Sequence, residues 1–191
     1  MRVHEVIGYL FRDIENYLKF GKRRIKSCEL IYVKVEDIKY ILEPKTFAKK
    51  DSGRVVDGNW DLNRTELNKN KKYNIIYNAL KKNIPWSKSG IFEHYALSKK
   101  YSHEDLVCRY ENISYFFDKL RVGEEKFKSR RELFGLRNFR EMGGVMVHKD
   151  REGNYVFSGA GFHRLAIAKT LGLEIIPCMI GVVHHSNMVK K

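Results

Sequence analysis

The chain has 191 residues, enough for one well-packed domain and short for two, and its 43% apolar and 13% aromatic content argues against disorder over most of its length. The 37 Lys and Arg against 23 Asp and Glu leave a formal charge of +14, which suits polyanions or phosphorylated small molecules but also fits a basic surface with no specific partner. Cys28, Cys108 and Cys178 are odd in number and far apart, which argues against a disulfide framework or a zinc ribbon and leaves three buried free thiols as the expectation.

The opening Met-Arg-Val-His-Glu fits neither a secretory nor a mitochondrial leader, and no apolar run approaches the ~20 residues of a membrane span. A cytoplasmic protein with no membrane partner is expected. Val3, Ile7, Leu10, Ile14 and Tyr17 alternate steps of four and three, so residues 1–28 should hold a helix that ends at Gly21 and packs on the domain as an added element. Residues 29–44 open with a strand over Leu30 to Val35, and the following Val-Glu-Asp-Ile-Lys-Tyr-Ile-Leu turns toward a short helix before Pro44.

Residues 45–141 read as an insertion. Its first part, 45–72, is dense in Lys, Asn, Asp and Gly and predicts a long polar excursion. Within it, Val56-Asp57-Gly58-Asn59-Trp60-Asp61-Leu62-Asn63-Arg64 gathers functional groups around one Trp. Asp61 and Arg64 are the candidates for catalysis, with Asp57 behind them, while the alternative makes Asp57-Gly58 a turn and Trp60 an anchor. Tyr73, Ile76, Tyr77 and Leu80 form a short helical stripe. Ser102 to Asp105 resembles a capping box, and Leu106, Tyr110, Ile113, Phe117 and Leu120 supply the core face of the helix that follows. The densest positive segment comes next, and its Arg130, Arg131, Arg137 and Arg140 could form a phosphate or nucleic-acid wall or a solvated face.

Residues 142–185 change character. Val145 to His148 and Tyr155 to Phe157 read as a hairpin, a helix runs from Phe162 to Leu171 with Gly172 after it, and Ile175 to Val183 makes a last strand that Pro177 assigns to an edge or a strand start. His148 reads as structural. The adjacent His184 and His185 face opposite ways on a strand and propose no metal site. Glu141, before Gly143-Gly144, either closes over a site or caps a loop.

Between the hairpin and the helix lies Ser158-Gly159-Ala160-Gly161. The first amides of a helix lack intrahelical acceptors and carry the positive end of its dipole, and glycines let an anion approach the backbone. Ser158, Gly159 and Gly161 would cradle a phosphate, with His163 and Arg164 adding side-chain donors.

The run Gly161-Phe162-His163-Arg164-Leu-Ala-Ile-Ala-Lys-Thr-Leu-Gly-Leu-Glu-Ile-Ile-Pro177 resembles the signature of ParB N-terminal and sulfiredoxin-like domains. The likeness covers residues 142–184 well and 29–42 loosely. It implies an α/β (α+β) fold with a small mixed sheet, in which the turn holds the phosphates of ATP or CTP; the N-terminal helix and a helical insertion stand outside the likeness, and Mg²⁺ is what a phosphoryl transfer would add. Phe162 stands where sulfiredoxins carry their catalytic cysteine, so peroxiredoxin repair is not implied. Ala160 replaces the acidic residue of many single-domain relatives, and the chain stops shortly after the last strand, where partition proteins continue into a helix-turn-helix reader. The expectation is a nucleotide-binding protein, an NTPase or a phosphotransferase acting on a small hydroxylated acceptor. Its rivals are a nucleic-acid-binding or nuclease-like module of weak affinity and a nucleotide-sensing switch without chemistry.

Overall fold

Among the residues that the computed structural model describes, 3–96, 101–134, 140, 141 and 143–189, the β-rich runs gather into one mixed sheet. Its strands are β1 (Leu30–Lys34), β2 (Tyr40–Leu42), β3 (Val55–Val56), β4 (Arg64–Glu66), β5 (Val145–Lys149), β6 (Tyr155–Phe157) and β7 (Ile175–His184), ordered β1-β7-β5-β6-β2-β4, with β3 beside the end of β7. The helices are α1 (Val3–Phe20), α2 (Lys71–Lys81), α3 (Ile91–Ala96), α4 (His103–Arg121), α5 (Arg130–Phe134), α6 (Phe162–Thr170) and α7 (Ser186–Val189). The fold is α/β.

β7 is the spine of the sheet, antiparallel to β1 and parallel to β5 and β3. Its nearly continuous apolar run is that of a strand covered on both faces. The position of Pro177 corrects the edge-strand expectation. Ile180 donates to Glu29 in front of β1, so by alternation the Pro177 nitrogen turns toward the β5 side, where pairing begins only at Val145 opposite Cys178. No ladder bond is lost there.

One face of the sheet carries the main core. Val33, Ile41, Val145, Val147, Phe157, Ile176 and Cys178 pack under Leu165 and Ile167 of α6, Tyr73, Ile76 and Leu80 of α2, Ile91 of α3, and Leu106, Tyr110 and Phe117 of α4. The opposite face divides into two clusters. Met146 and Met179 meet Tyr9, Cys28 and Ala160, while Leu42, Val156 and Val182 meet Phe47 and Trp60.

Several local expectations hold. Ser102 and Asp105 exchange side-chain and backbone bonds at 3.1 and 3.2 Å as a capping box on α4, and Gly21 and Gly172 take positive φ just past α1 and α6. The hairpin of β5 and β6 turns on Asp150, whose carboxylate accepts the amides of Glu152 and Asn154. Trp60 anchors its segment edge-on to Phe47 and His148. His148 is buried, accepts the Val182 amide on Nδ1 at 2.9 Å, and is held down to about 4 by burial. A Cβ at Gly181 would lie 2.4 Å from that nitrogen, so this strand position requires glycine.

Others are corrected. Residues 45–72 are not a bare excursion, because β3 and β4 join the sheet within it; at two and three residues they are too short to show a period. The short helix expected after β1 is a 3-10 helix of three residues, Val35–Asp37, and the part nearer Pro44, Tyr40–Leu42, is strand β2. Cys108 is exposed, since it lies two residues from both Leu106 and Tyr110 and therefore on the far side of α4.

The largest correction concerns α1. Ile7, Leu10, Ile14 and Tyr17 are between 47% and 56% exposed, whereas Tyr9 and Asn16 are buried. The helix docks through its polar side. Arg12 donates to the carbonyls of Lys50 and Ser52 at 2.8 and 2.7 Å, Asn16 to those of Ile25 and Gly53 at 2.8 Å, and Asp13 accepts the Ser27 amide at 2.7 Å. Those carbonyls and that amide belong to irregular backbone that has no ladder to satisfy it, so polar side chains are what this surface selects.

Candidate functional site

The turn after β6 is built by packing. Ser158 is buried and its hydroxyl accepts the Ala160 amide at 3.1 Å, which holds the turn in shape. Gly161 has φ +96°, and a Cβ there would lie 2.8 Å from both the Gly144 carbonyl oxygen and Val145 Cα. Glycine is needed because the turn is pressed against the start of β5. Gly159, also at positive φ, lies over Phe162 and Ile41.

The Leu165 amide closes the first turn of α6 on the Gly161 carbonyl. No acceptor among the described residues meets the amides of Gly159, Gly161, Phe162, His163 or Arg164. Together with the helix dipole these amides present a positive pole at the end of β6.

The two side chains expected to reach a phosphate are engaged elsewhere. His163 Nε2 lies 3.1 Å from the Tyr110 hydroxyl, its ring meets Tyr110 edge-on, and burial, with Arg109 and Lys72 nearby, holds its imidazole down to about 3. It is neutral at physiological pH and joins α6 to α4. Arg164 donates to the Lys128 carbonyl and lies 4.4 Å over the Phe127 ring. Burial lowers its pKa, partly offset by Glu141 and reinforced by Arg130, and its buried Nε finds no hydrogen-bond partner among the described residues.

Two cations that sequence reasoning passed over stand at this pole. Lys72, in the first turn of α2, sits 5.0 Å over Phe162 and 5.1 Å over Tyr95; Arg109 of α4 lies 5.5 Å over Tyr101. Their charge reaches His163 strongly enough to depress its pKa. Neither had a local signal, because Lys72 sits in an Asn/Lys-rich stretch and Arg109 on an ordinary amphipathic helix. Tyr95 and Phe162 add an aromatic shelf beside them.

Glu141 is fully buried and accepts the amides of Arg130 and Arg131 at 2.9 and 3.1 Å, capping α5. Its carboxylate lies against Gly144, where a Cβ would come within 2.3 Å of Oε1. Of the two roles open to Glu141, the structure supplies the cap. Among the described residues of the basic segment, Arg131 and Arg140 line one groove beside α1 and Arg130 lies apart from it. Arg140 is paired with Asp13 at 2.8 Å and donates to the Ser27 carbonyl at 2.7 Å, Arg130 stands beside Gly143, Arg131 lies near α1, and Arg137 falls outside the described residues.

Asp61 and Arg64 lie elsewhere. Asp61 is buried and takes three bonds from Arg151, at 3.0, 2.8 and 2.7 Å, and this pairing holds its carboxyl down to about 2. Arg64 pairs with Asp150 at 2.6 Å. Both pairs tie residues 57–64 to the hairpin beyond the end of β5, whereas Gly161 packs on the start of β5, a separation of roughly 15–20 Å at ~3.3 Å per residue. Asp61 therefore does not face the turn. Its burial and the anchored Trp60 fit the structural alternative for this segment.

His184, the last residue of β7, is buried with Nε2 2.9 Å from the Gly58 carbonyl, and His185, in the turn that follows, is exposed. No group of three or more His, Cys, Asp or Glu that could hold a metal ion gathers among the described residues, and no described helix is long and apolar enough to cross a membrane. Compared with known proteins, the chain matches no family model, no curated protein and no solved structure.

Proposed function

We propose that the chain binds a phosphorylated nucleotide, ATP or CTP, at the N-terminus of α6. The observation that carries this reading is the set of amides of Gly159, Gly161, Phe162, His163 and Arg164, which meet no acceptor among the described residues and lie in the field of Lys72 and Arg109. Amides and dipole favour the phosphates, the two cations add charge, and the Tyr95–Phe162 shelf offers a base a surface to lie on. The resemblance of Gly161 to Pro177 to ParB and sulfiredoxin-like sequences supports the same ligand. Mg²⁺ would enter on the phosphates themselves, since Glu141 is committed to two amides.

Binding is supported further than transfer. An NTPase or phosphotransferase needs a base beside the acceptor, and Asp61, the acid nominated from sequence, is bound to Arg151 at the other end of β5. The sensing reading is therefore the simpler one on this geometry.

Thermal shift with ATP, CTP, GTP, UTP and inorganic pyrophosphate tests the proposal. A ligand at 100 times its Kd should add about 2.7 kcal/mol of stability and raise Tm by several degrees. Lys72→Gln and Arg109→Gln are to weaken binding about tenfold each while leaving the apo Tm within ~2 °C. If no nucleotide at millimolar concentration shifts Tm, the proposal fails. Asp61→Asn should leave nucleotide affinity unchanged.

A further inference from the structure

The apolar side of α1 is turned outward. Ile7, Leu10, Ile14 and Tyr17 are about half exposed, and Phe11 and Leu18 beside them are 70% and 77% exposed. Leu10, Ile14 and Tyr17 form one wall of an open groove of about 830 Å³ whose other wall is Leu30 and Tyr32 of β1. Tyr32 is itself 61% exposed. The floor is charged: Arg140 pairs there with Asp13 and with the Ser27 carbonyl, Lys26 and Arg131 line it as well, and Arg24 lies 4.8 Å over the Tyr17 ring. This surface thus sets two apolar walls, α1 and β1, on either side of a charged floor.

We propose that this face is where a second copy of the chain docks, α1 lying antiparallel on α1 with its apolar residues seated in the groove. Three observations select that occupant. The stripe Ile7, Leu10, Ile14, Tyr17 steps 3-4-3, the spacing of a two-helix seam, and the steps read the same in reverse. An antiparallel copy therefore sets Leu10 against Ile14 and Ile7 against Tyr17, each twice, as a two-fold axis demands. The same overlay brings Glu5 of the first turn to Lys19 of the last turn, which also holds Glu15 of its own helix at 2.5 Å, again twice, and opposes the two helix dipoles. The exposed area also fits. Taking ~200 Å² for a large apolar side chain, the exposed fractions of Ile7, Leu10, Phe11, Ile14, Tyr17, Leu18 and Tyr32 amount to on the order of 800 Å², which is what a standard interface takes from each partner.

A charge of +14 on each copy opposes this pairing at long range. Salt should then strengthen it, the reverse of adsorption to an anionic surface.

Sedimentation velocity on the full chain from 1 to 100 μM, at 100 and 500 mM NaCl, tests the proposal. The expected result is twice the chain mass at the upper concentrations, with tighter association at 500 mM. Ile14→Glu/Leu18→Glu should be monomeric throughout, at least a hundredfold weaker, with an unchanged melt when both proteins are compared as monomers at 1 μM. Glu5→Lys should weaken the dimer severalfold, and Glu5→Lys/Lys19→Glu should restore it, which only the antiparallel self-pairing predicts. A wild-type chain that stays monomeric at 100 μM overturns the proposal, whether or not it binds vesicles of phosphatidylserine and phosphatidylcholine; such binding would assign the face to a membrane surface. A dimer that survives the double Glu substitution overturns it as well, because the contact would then lie elsewhere.

Discussion

α1 and α4 carry nearly the same pattern and use it in opposite senses. Each repeats apolar residues at steps of three and four, yet α4 buries Leu106, Tyr110 and Phe117 in the main core while α1 holds Ile7, Leu10, Ile14 and Tyr17 away from it. The difference lies in what each helix is laid against. α4 meets the aromatic and aliphatic layer of Trp86, Phe92 and His163, whereas α1 meets irregular backbone with amides and carbonyls to satisfy. A stripe proves that a helix has two sides; the surface opposite decides which side is inside.

The comparison breaks most easily at Tyr110. Its ring is fully buried among Trp86, Phe92 and His163, so Tyr110→Ala should cost about 3–5 kcal/mol in urea unfolding. An effect under 1 kcal/mol would mean that α4 is not the core helix described here. On α1 the sensitive position is polar. Asn16→Leu removes two bonds to buried carbonyls and should cost about 1–3 kcal/mol although it adds apolar surface; a stabilised variant would refute the polar docking.

A smaller effect separates the helices by pH. His163, held against Tyr110, has its pKa depressed to about 3, so the unfolded chain binds its proton first as acid is added. The stability it protects is complete above about pH 6.5 and is lost as pH falls from there toward 3. His163→Asn should flatten this acid limb by on the order of 1–2 kcal/mol between pH 7 and 5. His148, depressed to about 4, contributes to the same limb and should account for part of what remains. The smallest effect belongs to Ile14→Ala, within ~0.5 kcal/mol for the monomer because the side chain is largely exposed there.

Much of the frame was legible from residues alone. The capping box at Ser102, the glycines ending α1 and α6, the Asp150 hairpin and the glycine turn before α6 are each written in a few adjacent residues. What could not be read depends on distant partners. Val55–Val56 and Arg64–Glu66 become strands only because β7 and β2 stand beside them, and Pro177 is tolerated inside the sheet only because β5 starts one residue later. At the candidate site the turn was found, but His163 and Arg164 were assigned to a ligand when Tyr110 and Lys128, 53 and 36 residues away, already held them. Lys72 and Arg109 come to the turn through the packing of α2 and α4 on α6, a relation that no spacing in the chain encodes.

α1 is fastened by hydrogen bonds and the Asp13–Arg140 pair, and its apolar contribution to the sheet is confined to Tyr9, over Met146 and Met179, and Phe20, beside Ile180 and Val183, so its release uncovers less apolar area than global unfolding does. Hydrogen exchange should report this directly. The amides of α1 should exchange through a sub-global opening whose free energy changes less with denaturant than global unfolding does, since that slope scales with the surface exposed. The amides of α4 should follow the steep slope of global unfolding.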